Sequence, residues 1–168
     1  MPPMTLPLAR LVAASLAACA VQASVQAQAP VTPTAVPHAA GIIRLRSANS
    51  FDETVARLKS DVAAKGVRFF DQIDQTALGA GADLKIRRST LVLFGNPPLG
   101  VQFLQSNPYA GLDWPVRMLV TEDVDGSIWV AWTDFAFIAN RYAIADRSAQ
   151  FKMASEVAQS IASAATSH

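Results

Sequence analysis

The sequence predicts an α+β domain: an antiparallel sheet with helices packed on one face. Three observations carry that expectation. An apolar stripe with helical spacing follows an N-terminal cap at Ser50, and three short apolar runs between Ser89 and Thr133 are separated by turn residues. A second helical stripe then begins near Ser148.

The first element is Ile42-Ile43-Arg44-Leu45-Arg46, where alternation after Ile42 places Ile43 and Leu45 on one face and Arg44 and Arg46 on the other. Ser50 with Glu53 three residues on forms a capping box, since the Ser oxygen can accept an orphan N–H at the helix start. Phe51, Val55, Leu58 and Val62 continue at helical spacing to Gly66, so a helix is expected over residues 51–65. Val67-Arg68-Phe69-Phe70 restarts as a strand. Between Asp71 and Arg88 the pattern loosens, and Ala77 to Ala82 fits either a short helical turn or a mobile loop.

The central stretch runs from Ser89 to Thr133. Thr90-Leu91-Val92-Leu93-Phe94 suits a buried strand, and Gly95-Asn96-Pro97-Pro98 is expected to end it in a fixed turn, with Gly95 free to take positive φ. An apolar turn follows, then a second turn at Asn107-Pro108-Tyr109-Ala110-Gly111. Trp114-Pro115 leads in extended geometry into the strand Val116 to Val120. Asp125-Gly126 reads as a two-residue hairpin turn before Ile128 to Thr133. Phe135 to Tyr142 is a short helix or turn. The last helix carries Phe151, Ala154, Val157, Ala158 and Ile161 on one stripe and fades into small residues before His168. The order is strand, helix, strand, loop, three strands, helix.

The N-terminus reads differently. One basic residue, Arg10, precedes the apolar run Leu11 to Val21, and small residues end at Ala27: the layout of a secretory signal peptide over residues 1–27. Leu16-Ala17-Ala18-Cys19 also looks like a lipoprotein box, which would make residues 1–18 the signal and attach a lipid at Cys19. Export to the periplasm is the expectation, with a lipid-anchored envelope protein as the alternative. Residues 28–40, with Pro30, Pro33 and Pro37, read as a Pro/Ala-rich extended linker, and residues 41–168 as one domain. Cutting after Ala27 removes the sole cysteine, leaving no disulfide, thiolate metal site or cysteine nucleophile.

Of the 14 Lys and Arg residues only Arg10 lies in that leader, so the mature chain balances its 13 acidic residues and offers no basic field for nucleic acid. The hydrophobic share of 51% is raised by the leader and does not indicate membrane insertion. Both histidines, His38 and His168, fall in terminal segments, so no Ser-His-Asp triad can form; no catalytic, metal or cofactor set is predicted. The acidic turn Glu122, Asp123, Asp125 lacks calcium-loop spacing, with Thr121 and Trp132 where the first and last acidic ligands belong.

Two candidate binding features remain. Phe94 and Asn96 could line a pocket at a strand end. Arg44, Arg46 and Trp129 could share the open sheet face and hold a small anionic or aromatic ligand through guanidinium hydrogen bonds and cation–π contact, or that face could be a dimer surface. The expected function is an exported ligand-binding or interaction domain without evident catalysis. The alternative is a small-molecule enzyme with a carboxylate/amide site near the Gly-Asn-Pro turn, using Asp74, Asn96 and Asp113.

Taken together, Phe51-Asp52-Glu53-Thr54-Val55, Gly66, Phe94-Gly95-Asn96-Pro97, Leu112-Asp113-Trp114-Pro115 and Val120-Thr121-Glu122-Asp123-Val124-Asp125-Gly126 make residues 42–142 resemble the domain of unknown function 302 family of bacteria and archaea. The family usually has Leu-Asp-Leu-Pro where this chain has Leu112 to Pro115. The resemblance implies a TATA-binding-protein-like order of strand, helix, four strands, helix, and a homodimer; it supplies no activity. Many relatives carry a histidine after the pair that is Ile73-Asp74 here, and another near Tyr142; this chain has Gln75 and Tyr142 instead.

Overall fold

A computed structural model describes residues 36–38 and 41–168. The expected signal peptide, the lipobox at Cys19 and the rest of the linker lie outside the described residues.

The chain is α+β, in the order β1 (Val36–His38), β2 (Ile42–Arg46), α1 (Phe51–Ala64), β3 (Arg68–Asp74), α2 (Gln75–Gly81), β4 (Ser89–Gly95), α3 (Pro97–Ser106), a 3-10 turn (Pro108–Leu112), β5 (Val116–Glu122), β6 (Ile128–Thr133), α4 (Phe135–Arg141) and α5 (Ser148–Thr166). The sheet is antiparallel throughout and its strand order is β1-β2-β6-β5-β4-β3. From β2 onward this is the expected strand, helix, four strands, helix, with short helices added between strands.

Period-two alternation decides the faces. Leu45, Val92, Phe94, Met118, Val120, Val130 and Trp132 are buried under α1 and α5, which supply Phe51, Leu58, Val62, Phe151, Ala158 and Ile161. The opposite face carries Arg44, Leu91, Leu93, Leu119, Trp129 and Ala131.

Ser50 Oγ accepts the Glu53 N–H at 3.3 Å as expected, but Glu53 turns outward to pair with Arg57 instead of reaching back. Gly66, at φ +64°, ends α1 one residue earlier than expected.

Five local expectations are corrected, and one left open is decided. Pro97 and Pro98 do more than end β4: they occupy the first positions of α3, where a missing N–H costs nothing, so the apolar turn is a helix. Gly95 has no positive φ; its constraint is packing, because a Cβ there would sit 3.2 Å from Trp114 Nε1 and 3.4 Å from Phe70. The hairpin turn is longer than Asp125-Gly126: Gly126 N–H bonds to Asp123 O, Asp123 N–H bonds to Ser127 O, and Gly126 alone takes positive φ, at +79°. In the loosened stretch the short-helix alternative holds, as α2, capped by Asp74, whose Oδ1 accepts the Ala77 N–H at 2.9 Å. The final helix does not fade, since Ala162, Ala165 and Thr166 are buried and carry it to Thr166. Within the expected linker, Val36–His38 pairs along β2 as an edge strand, with Val36 opposite Arg44.

Candidate functional site

The site is built where the sheet ends. After β4 the chain turns at Asn96 into α3, which crosses the end of the sheet towards α5; Phe103 of α3 stacks on Phe151 of α5 with centroids 4.1 Å apart. Trp114 enters from the segment before β5 through a cis bond to Pro115 and meets Phe70 edge-on at 5.8 Å. Phe70 is free to do so because the β3–β4 register shifts between Phe69 and Asp71, a bulge that swings one extra residue out of alternation. The indole lies directly on α3: a Cβ at Gly100 would fall 1.8 Å from Trp114 Nε1.

These elements enclose a cavity of about 320 Å³, within the size range of small-molecule sites. Phe94, Phe103, Phe135, Ala154 and Ala158 form its buried apolar floor. Exposed Lys65, Asn96 and Met153 mark its mouth. Among the described residues Lys65 is the one ionisable lining residue, and its ammonium pairs with Asp61 one turn back. The Asn96 side chain, although at the cap position of α3, makes no capping hydrogen bond and is left available at the mouth.

The five candidate residues from the sequence fall in two places. Phe94 and Asn96 belong to the sheet-end cavity. Arg44, Arg46 and Trp129 come together on the open face: Arg46 is opposite Trp129 in register, and the Arg44 guanidinium lies 4.0 Å from the Trp129 ring centroid. Arg44 also lies 3.6 Å from the Asp123 carboxylate, and Glu122 lines the same shallow depression of about 310 Å³. Trp129 Nε1–H donates to Ser127 Oγ at 2.9 Å. The cation–π pair is present, but two carboxylates flank it and one already meets its charge.

The carboxylate/amide trio is not assembled. Asp74 is opposite Thr90 while Gly95 is opposite Arg68, so Asp74 and Asn96 sit at opposite ends of the β3–β4 ladder, roughly 20 Å apart along the strands. Asp113 does lie at the Asn96 end, but as a buried structural hub. Its carboxylate accepts from Arg117, from Arg141 at 3.2 Å and from the Tyr142 hydroxyl at 2.7 Å. The carboxylate beside it, and then burial, push the Tyr142 hydroxyl pKa above its ordinary value. In the acidic turn, the Ser127 hydroxyl and then its N–H hold the Asp125 carboxyl below the usual range. A second, polar groove of about 560 Å³ runs between α1 and β3, lined by Asp52, Lys59, Gln72, Asp74 and Arg88, with charges of both signs. No group of three or more His, Cys, Asp or Glu side chains suited to a metal occurs among the described residues.

Sequence reasoning missed Trp114, Lys65 and the small residues Ala154 and Ala158 as site components. The signal was present in Gly95 and Gly100, two glycines five residues apart around a strand end that a tryptophan later fills.

The model of the family described as Domain of unknown function DUF302 matches residues 43–167, from β2 through the last helix. The chain is 32% identical over 104 residues to the Fluoride-specific ion channel FluC 1 of Brucella suis biovar 1 (strain 1330), covering 62% of this chain and 41% of that protein. It is 32% identical over 104 residues to the Fluoride-specific ion channel FluC 2 of Brucella melitensis biotype 1, covering 38% of it. The chain thus spans about two-fifths of the length of these curated relatives. Among the described residues no helix is long and apolar enough to cross a membrane. The crystal structure of an uncharacterized conserved protein DUF302 from Bacillus stearothermophilus superposes with TM-score 0.68 at 13% identity, covering 74% of this chain and 98% of that one, a likeness of fold. With the family model covering every element from β2 to α5, the chain belongs to the DUF302 family, a domain of unknown function.

Proposed function

We propose that this protein is an exported binding domain that holds a small molecule by apolar contact at the end of its sheet and does no chemistry on it. The single observation that carries the reading is the cavity of about 320 Å³ with its floor of Phe94, Phe103 and Phe135. Close-packed interiors leave few voids larger than a water molecule, so an apolar cavity of this size opening at Lys65 and Asn96 is a binding feature. Nile red, a neutral apolar dye, is the direct probe. It should gain fluorescence with the protein and lose that gain when Ala154→Trp blocks the cavity; a gain unaffected by Ala154→Trp refutes the site.

Export rests on the leader at residues 1–27, with lipidation at Cys19 as its alternative. Fractionation of the producing cell with intact-mass measurement separates the two. A chain beginning at Gln28 in the periplasm supports the first, and a lipid-sized mass on Cys19 supports the second.

A second role, assembly into a homodimer, is favoured by the open face. Ile73, Leu91, Leu119 and Ala131 are paired in sequence across four strands, a half-buried apolar row on the face opposite α1 and α5. Sedimentation should give a dimer that Leu119→Lys converts to monomer; a wild-type monomer at micromolar concentration removes this reading.

A further inference from the structure

We propose that the ligand of the sheet-end cavity is an amphipathic monocarboxylate, its apolar tail on the floor and its carboxylate at the mouth with Lys65 and Asn96. This rests on the reading of the cavity as a binding site and names the class of molecule it takes. Polarity is sorted along the cavity. Among the described residues the deep lining is apolar, glycine or the Trp114 indole, and the two hydrophilic side chains, Lys65 and Asn96, are exposed residues. A wholly apolar ligand leaves those two groups unused, whereas a ligand with one polar end uses both.

Charge selects the sign of that end. Among the described residues Lys65 is the only ionisable group of the lining and no carboxylate opposes an anion there, in contrast to the Arg44 depression with Glu122 and Asp123. An ammonium has three donors; Asp61 takes one, and the others remain for a carboxylate. The Asn96 amide, with no capping bond, adds a neutral donor to the same lining. One cation suits a monoanion, while a phosphate dianion is better matched by the forked donors of arginine, and among the described residues no arginine lines this cavity.

The experiment is Nile red displacement by decanoate and by 1-decanol, which share a tail and differ in the head. Wild type should bind decanoate roughly tenfold more tightly than decanol, the scale of one charge-assisted hydrogen bond partly exposed to water. Lys65→Met combined with Asp61→Asn, which keeps the stem and prevents the freed carboxylate from repelling the acid, should bring the two ligands to equal affinity. Lys65→Arg should keep the preference. Equal affinities in the wild type, or a preference that survives Lys65→Met/Asp61→Asn, overturn the carboxylate inference while leaving the cavity standing. Dye binding that neither ligand displaces, yet that Ala154→Trp abolishes, overturns the ligand class. Dye binding indifferent to Ala154→Trp overturns the cavity reading itself.

Discussion

Ala158→Leu separates a true cavity from a packed core by the sign of its effect on stability. Ala158 is 1% exposed and lies on the cavity floor, one turn of α5 beyond Ala154. Leucine adds three carbons at that point. If they enter the void of about 320 Å³, their burial contributes about 0.8 kcal/mol each, or about 2.4 kcal/mol in all. Fixing the leucine rotamer takes back about 0.5–1 kcal/mol. Alanine and leucine differ little in helix propensity. The expected gain is therefore about 1.5 kcal/mol, a rise of about 4–8 °C in Tm for a domain of this size. If the region were close-packed, the same three carbons would be forced against Phe94 and Phe103, and overpacking would cost about 1–3 kcal/mol. The two readings differ by about 3 kcal/mol, well beyond the uncertainty of a urea midpoint with unchanged slope. Urea unfolding monitored by circular dichroism, with Nile red titration of the same samples, is the assay. A more stable protein that has lost dye affinity is the expected result, and a destabilisation of 1 kcal/mol or more refutes the cavity.

Three further outcomes follow from the packing around the site. Asp113→Asn should destabilise by about 2–3 kcal/mol in urea unfolding: the Tyr142 hydroxyl loses its charged acceptor, but Arg117 and Arg141 are 45% and 50% exposed, so their charges remain solvated and the cost stays below that of a fully buried pair. Gly100→Ala should shift Trp114 fluorescence and weaken dye binding, because the new Cβ displaces the indole that walls the cavity; overpacking of about 1–3 kcal/mol less a helix gain of about 0.5–1 kcal/mol leaves a net loss of about 1 kcal/mol. The Tyr142 pKa is raised, so its bond to Asp113 contributes stability fully below the ordinary tyrosine value of 10.0 and loses it as pH climbs through the raised one. Ultraviolet titration of Tyr109→Phe protein, which leaves Tyr142 as the only tyrosine, should show ionisation later than pH 10.0, and Asp113→Asn should bring it back.

The sheet was legible because its residues obey one local rule. Ile43 and Leu45 against Arg44 and Arg46 state which side of β2 faces the core, and the same alternation holds through β4, β5 and β6. The helix at residues 97–106 was not legible, since two prolines after Gly-Asn announce a turn equally well, and only the chain beyond them decides whether their fixed φ starts a helix. Asp113 illustrates a different limit. Its pairing with Arg117 is visible in the sequence, but Arg141 and Tyr142 reach it from α4 and its end, and no spacing rule connects positions 28 and 29 residues apart.

The cavity was hidden for a more general reason: a void is written as missing volume, and missing volume has no local signature. On α5, Ala154 and Ala158 occupy the core stripe one turn apart, where periodicity marks them as buried and says nothing of their size. On α3, Gly100 reads as a weak helix residue, and its reason, the indole of Trp114 lying where a Cβ would be, comes from a segment fourteen residues later. Small residues on two helices and a glycine at the end of β4 become a pocket only when the fold sets them facing one another. The bulge at Phe70 and the indole of Trp114 then close its side with large aromatic groups. Phe94 and Asn96 were readable as site residues because a Gly-Asn-Pro turn advertises a strand end. Lys65 was not, because its place at the mouth depends on α1 ending beside that turn, a tertiary fact carried by the packing of α1 and α5 on the same face of the sheet.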